Sequence, residues 1–296
     1  METIVIAGGS GLIGKQLTVR LRQEGHIVRW LTRGAANSAQ QLFHWNPEKK
    51  EMDSAALEGV TVLINLTGEG IAEKRWTKNR IDRLYRSRIE STHFLWEVAK
   101  NNSTLKHYIS ASGAMCFGFD DPNKKYNEEA PYGTDLLSKI TEKWEESAAV
   151  FEQKCTVTIV RISVVLAKEA GALKSIAQPI KYGVGAIIGS GKQVIPWISL
   201  DDLTAVFSFM IANEYGGTFH ANAGNTTNSE LTKTIARVLK KPLLLPKVPA
   251  WLMYCLFGKM AVVVVNGVMV DNHKLLAMGF EFSDPTVELA LKKIYL

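Results

Sequence analysis

Hydrophobic positions fall into short β-branched runs separated by longer amphipathic stretches, an alternation that predicts a parallel α/β sheet. Ile4-Val5-Ile6 is apolar without interruption, as a strand covered on both faces must be. The run breaks at Gly8, Gly11 and Gly14, and Leu12, Ile13, Leu17, Val19 and Leu21 then mark an amphipathic helix. Gly25 is a natural helix stop, and residues 26–33 read as the second strand. Phe43-His44-Trp45 predicts a short strand, followed by a polar turn over residues 46–50 and a short helix near residues 53–58. Residues 60–66 form another buried run, ending in Thr67-Gly68-Glu69-Gly70. A long helix is expected over roughly residues 77–101, with Ile81, Leu84, Ile89, Leu95 and Val98 as its buried stripe.

Residues 107–112 read as the next strand, with Ser110 and Ser112 at its carboxyl edge. A polar loop from Asp120 to Gly133, a helix over about residues 135–153 and a strand at 156–162 follow. Beyond Ala167 the alternation loosens, and Gly183, Gly185, Gly189 and Gly191 mark a loop region. Asp201-Asp202 opens a helix where its dipole favours acid. A strand at 218–221, a helix over about residues 228–239 and further C-terminal helices complete the chain, with no internal repeat.

The first strand, turn and helix carry the chemistry. Gly8 permits a tight turn, Gly11 lets backbone approach a pyrophosphate, and Gly14 lets helix and strand pack closely. The helix N-terminus then presents free N–H groups to phosphate. Just past the second strand, an acid would bind the ribose 2′-OH of NAD, whereas an arginine accommodates the 2′-phosphate of NADP. Arg33 stands there, and no Asp or Glu follows until Glu48, so NADP(H) is the expected cofactor. The turn at residues 67–70 closes a strand at its carboxyl end and is expected to lie against the same ligand.

The 296 residues suffice for one large or two modest domains, and the net charge of +6 suits a phosphorylated small molecule as well as nucleic acid. Lys74, Arg75, Lys78, Arg80, Arg83, Arg86 and Arg88 cluster around the start of the long helix and read mostly as a solvated face. One or two of them, Arg75 among them, are candidates for an anionic substrate or the NADP phosphates. Aromatic residues suited to stacking bases are sparse there, so no nucleic-acid partner is expected. Three scattered cysteines and six histidines without metal-ligand spacing predict no disulfide framework and no metal site. The chain enters its first strand at once, which reads as a cytoplasmic protein without a signal peptide. Residues 250–270 are nearly all apolar but are broken by Gly258, Lys259 and Gly267, so they read as two buried or surface-packed helices, with no membrane partner.

Taken together, GGSGLIG (8–14), GHIVRWLTR (25–33), VLINLTGEGI (62–71), RWT (75–77), SRIEST (87–92), ISASG (109–113), KWEESA (143–148), VRISVVLAKEAGAL (160–173), GSGKQVIPWISLDDL (189–203) and the run at 228–242 resemble one family. It is the atypical, epimerase-like branch of the extended short-chain dehydrogenase/reductases, loosely called nucleoside-diphosphate-sugar epimerases or cell-division inhibitors. The resemblance implies a Rossmann-type doubly wound parallel sheet with a small C-terminal substrate lobe. Residues 1–166, joined by a later segment near 200–222, would bind NADP(H), and residues 167–296 would mainly hold a small-molecule substrate. Gly8, Ser10, Gly11, Leu12 and Ile13 would line the pyrophosphate, Arg33 would meet the 2′-phosphate, and Leu66, Gly68 and Glu69 would border the adenosine and ribose side. Ser110 and Arg75 would add cofactor contacts.

Ser112 falls at the position of the superfamily's catalytic serine. The superfamily's Tyr-x-x-x-Lys pair is incomplete: Lys139 is in place to hold the nicotinamide ribose, but Asp135 stands where the tyrosine belongs. An ionised carboxyl cannot donate a proton as a phenol would, so Asp135 reads more simply as a helix-start residue paired with Lys139. Cys116-Phe117 replaces tyrosines common in the family, and Tyr132 is a further candidate for the catalytic side. Two functions follow: an NADP-dependent oxidoreductase or epimerase-like enzyme, or a catalytically silent NADP(H)-binding regulatory protein.

Overall fold

The structure is a computed structural model that describes residues 1–119, 121 and 123–296, so Asp120, the start of the expected polar loop, lies outside the described residues. The chain opens with β1 (Thr3–Ala7), α1 (Leu12–Gln23), β2 (Ile27–Thr32) and β3 (Leu42–Asn46). A two-residue β4 (Glu51–Met52), β5 (Val62–Asn65), α2 (Lys78–Ala99) and β6 (His107–Gly113) follow. Next come β7 (Lys125–Tyr126), α3 (Leu136–Ala149), β8 (Thr156–Ile162), β9 (Val164–Leu166) and α4 (Gly171–Lys181). Then β10 (Val194–Ser199), α5 (Leu200–Asn213), β11 (Gly217–Ala221), β12 (Gly224–Thr227) and α6 (Asn228–Val238) lead to the C-terminal part. That part holds α7 (Ala250–Phe257), α8 (Val262–Val265), β13 (Met269–Val270), α9 (His273–Ala277) and α10 (Val287–Tyr295).

The main sheet runs β11-β8-β6-β5-β1-β2-β3-β4, parallel except for the β3–β4 pair. Strand order reverses at β1, so the carboxyl ends of β1 and β5 flank the crevice where such sheets bind ligands. Period-two alternation in β1 sends Ile4 and Ile6 to one core, with Leu17 and Leu21 of α1 and Phe207 of α5. It sends Val5 and Ala7 to the other, with Leu95 of α2 and Phe151. Gly25, at φ +85°, closes α1: His26 N–H donates to the Leu21 carbonyl and Gly25 N–H to that of Arg22, the Schellman pattern.

Several expectations are corrected. Val19 is 50% exposed, off the buried face of α1. In α2, Leu84 and Leu95 are buried, but Ile81, Ile89 and Val98 are only half-buried. The buried face of α2 also carries Arg80, Arg88, Ser91 and Thr92, because it covers the polar turn after β5 as well as the sheet. Arg80 and Arg88 therefore do not belong to a solvated face.

The region beyond Ala167 is more regular than its pattern suggests. A second sheet, β12-β10-β9, pairs β10 antiparallel with β12 and parallel with β9, and β13 pairs with β7 inside the expected polar loop. Of residues 250–270, the first sixteen form α7, a 3₁₀ turn and α8, and the last two form β13. Among the described residues, no helix is long and apolar enough to cross a membrane.

Candidate functional site

The switch crevice opens into a cavity of about 880 Å³. Gly8, Ser10 and Gly11 form one wall, Leu66, Gly68 and Glu69 another, and Arg33 a third. The glycine turn has the geometry its residues require. Gly8 sits at φ +86°, and a Cβ there would lie 3.0 Å from the Leu66 carbonyl. A Cβ on Gly14 would lie 2.6 Å from the Gly8 oxygen and Gly9 Cα, so α1 can approach the turn only without one. A Cβ on Gly11 would meet only the Gly8 oxygen, at 3.3 Å, and its other side faces the cavity. Gly9 has a role the motif did not disclose: a Cβ would lie 2.5 Å from the Trp30 indole, whose Nε1–H donates to Thr18 Oγ1 at 2.6 Å.

Leu12 and Ile13 are the first two residues of α1, and Gly11 caps the helix without a side-chain hydrogen bond. The first-turn N–H groups of α1 thus meet no side-chain cap where a diphosphate would sit. Arg33 is exposed one residue beyond β2, and among the described residues no ion pair or hydrogen bond engages its guanidinium. An uncommitted cation, a glycine-rich turn and a cavity of this size fit an adenine dinucleotide with an extra phosphate. Arg83 and Arg86, of the basic cluster offered as phosphate candidates, also line the cavity, as do Thr32, Trp45 and Glu48, to which the sequence reading gave no role.

The turn after β5 is held from beneath by polar groups. Asn65 is fully buried: its Nδ2 donates to Thr92 Oγ1 and the Tyr108 hydroxyl at 3.0 and 3.1 Å, and its Oδ1 accepts from Thr67 N–H. Burial pushes the Tyr108 phenol up to about 12. Arg88 donates to the Leu84 and Glu69 carbonyls at 3.0 and 2.9 Å and stacks on Trp144. Burial, and secondly Arg80, lower its pKa to about 10, which leaves it charged at neutral pH. A Cβ on Gly68 would press on this guanidinium at 3.1 Å. The Glu69 carboxylate lies at the cavity but is committed to Arg80 and, at 2.5 Å, to Arg83.

Other expected cofactor contacts lie off the cavity wall. Ser110 is buried, with its hydroxyl on the Ala111 carbonyl at 3.1 Å. Arg75 donates to the carbonyls of Leu256 and Cys255 at 2.8 and 2.6 Å, where it caps the end of α7. Lys139 is exposed and away from the cavity lining.

On the catalytic side, Ser112 is buried at the end of β6 and donates to Glu145 Oε1 at 2.5 Å. Arg161 clamps both oxygens of Glu145 at 2.9 Å, and Tyr132 donates to Oε2 at 2.6 Å. Burial opposes the Arg161 charge, but the hydrogen bonds and charge of Glu145 outweigh it and raise its pKa. Burial first, then the Glu145 carboxylate, raises the Tyr132 phenol well above its ordinary value, so it keeps its proton. Structure thus gathers Ser112 and Tyr132, as proposed catalytic residues, around a carboxylate that sequence reasoning left without a role. The available signal was a lone arginine in the buried 156–162 run, which needs an anionic partner.

Asp135 is the N-cap of α3: it accepts from Leu137 and Ser138 N–H and from Ser138 Oγ, at 2.8, 3.3 and 2.6 Å. The expected helix start is present; the pairing with Lys139 is not, because the cap has taken the carboxylate. Cys116 and Phe117 are core residues. Burial raises the Cys116 thiol to about 12, and Phe117 stacks on Tyr126 with centroids 4.8 Å apart.

The sequence profile of the NAD dependent epimerase/dehydratase family matches residues 4–224, and a domain of unknown function matches residues 248–294. A mouse protein named epimerase family protein SDR39U1 is 30% identical, covering 98% of this chain and 99% of its own. An epimerase family protein of Staphylococcus aureus is 32% identical, with 99% of each chain covered. The crystal structure of human epimerase family protein SDR39U1 with NADPH superposes at a TM-score of 0.90, with 27% identity and 99% of each chain covered. The UDP-N-acetylglucosamine 4-epimerase of Bacillus cereus shares the fold at a TM-score of 0.78 and 16% identity, over 100% of this chain and 98% of that one.

Proposed function

Because the chain belongs to the NAD-dependent epimerase/dehydratase family, we propose that it binds NADP(H) at the crevice between β1 and β5 and acts as an oxidoreductase or epimerase-like enzyme of the extended short-chain type. The observation that carries the reading is Arg33, exposed on the same cavity as the glycine turn and without an ion pair or hydrogen bond to its guanidinium among the described residues. The N–H groups at the start of α1 face the diphosphate and Arg33 faces the 2′-phosphate, whereas Lys139, off the cavity lining, reaches the nicotinamide ribose only if its side chain swings in. NADPH bound there supplies a hydride to a carbonyl carbon of a small-molecule substrate.

Acid–base assistance is the weak part of the site. Asp135 is spent on capping α3, and the Ser112 proton points at Glu145. A site lacking its phenol gives up about 10²–10⁴-fold in rate, so the expected activity is slow reduction of activated carbonyls and negligible oxidation of simple alcohols. Engagement of Ser112 by Glu145 also favours a second reading, a catalytically silent NADP(H)-binding regulatory protein.

Fluorescence titration separates cofactor from catalysis. NADPH binds more tightly than NADH, and Arg33→Ala removes roughly ten- to a hundredfold of that preference, the range of one charge-assisted contact. Equal affinities for the two cofactors overturn the assignment. Tight NADPH binding with no turnover on a broad carbonyl panel selects the regulatory reading.

A further inference from the structure

Residues 231–270 hold Lys233, Arg237, Lys240, Lys241, Lys247 and Lys259 and not one Asp or Glu. Within this stretch the chain leaves large apolar side chains in solvent: Leu244 is 76% exposed, Trp251 65%, Leu256 52%, Leu245 48% and Tyr254 45%. Helix α7 buries only Met253. Lys240, Lys241 and Lys259 are exposed and carry no ion pair among the described residues. A stretch of this kind, with large apolar side chains in solvent and charges of one sign only, marks an interaction surface.

We propose that α7 and the loop before it seat the protein on an anionic lipid bilayer, with the aromatic and aliphatic side chains at the headgroup boundary and the lysines on the phosphates. Charge selects this occupant. Protein interfaces are depleted in lysine at their cores and carry about one hydrogen bond per 100–200 Å². The only polar side-chain groups on α7 are the Trp251 indole N–H, the Tyr254 hydroxyl and the Cys255 thiol. A second copy of the chain would bring two sets of lysines together. At a bilayer, tryptophan and tyrosine sit at the headgroup level, and lysine stems lie along apolar surface with the ammonium in water. The surface lies on the membrane without crossing it, which revises the expectation that a membrane plays no part.

The test is sedimentation of the full-length protein with phosphatidylcholine vesicles, with and without one-third phosphatidylglycerol, at low and high salt. The protein partitions onto the anionic vesicles at low salt and leaves them at high salt. Lys240→Ala with Lys241→Ala lowers partitioning about 25-fold, from about fivefold per lysine near a charged surface. Leu245→Glu with Trp251→Glu abolishes it. NADPH titration of each variant reports an intact fold, independently of vesicle binding. Equal binding to neutral and anionic vesicles overturns the proposal, as does binding that survives Leu245→Glu with Trp251→Glu. Self-association that these two substitutions abolish, without vesicle binding, assigns the face to a second copy instead.

Discussion

Replacing Glu145 by glutamine keeps the side-chain volume and removes the charge. Four donors converge on its carboxylate: the Ser112 and Tyr132 hydroxyls and Nε and Nη2 of Arg161. A carboxylate offers about four acceptor sites and an amide oxygen about two, so roughly half of these donors lose their acceptor. Arg161 is 3% exposed and Glu145 8%, which leaves the guanidinium charged and unpaired in the interior. Breaking a buried pair from one side costs about 3–5 kcal/mol. At about 2.1 cal/mol/K per residue, 296 residues give an unfolding entropy of about 0.6 kcal/mol/K, so Glu145→Gln lowers Tm by roughly 5–8 °C. Differential scanning calorimetry of Glu145→Gln, Arg161→Met and the double variant checks this. The double variant should lose less than the two single losses combined, because it leaves no charge stranded. NADPH affinity should stay unchanged, since none of the four residues lines the cavity. A Tm loss below about 1 °C, or strictly additive losses, would refute the reasoning.

Gly11→Val places a branched side chain where only the Gly8 oxygen now lies near, so the variant should fold normally and lose NADPH affinity in the same titration. Asp135→Ala removes the α3 cap and should cost about 0.5–2 kcal/mol in denaturant unfolding, with no change in any NADPH-dependent rate. His107 is 1% exposed, and burial lowers its pKa from 6.5 to about 4. The unfolded chain therefore takes up a proton below pH 6.5 that the folded chain refuses until about pH 4, and stability falls through that window as pH falls. The slope is about 1.4 kcal/mol per pH unit, and His107→Leu should flatten it in unfolding curves at successive pH values; an unchanged slope would mean other groups carry the pH dependence.

Legibility followed the strength of local pattern. The β1–turn–α1 unit could be read because each glycine answers a local backbone demand and the flanking runs differ in period. β8 and β9 are separated by Ser163 alone, so nothing local announces that the chain leaves one sheet for another there. In β10, Pro196 interrupts the strand signal, and α4 carries Pro179 in its last turn. The polar buried face of α2 was misread because Arg80 and Arg88 find acceptors at the turn near residues 69 and 70, contacts that only the assembled fold supplies. Asp135 was legible as a helix start; that the cap exhausts its carboxylate was not. Glu145 and Arg161 meet across elements, so neither alone reveals the pair.

Arg75 gives the segment between β5 and α2 two attachments. Gly68, Glu69, Gly70 and Glu73 border the cavity, and Arg75 is bonded to the end of α7. Any coupling between the two attachments acts on both by the same factor, because coupling between binding equilibria is reciprocal. The guanidinium expected to touch the cofactor instead ties the segment that borders the cavity to the end of the C-terminal helix α7.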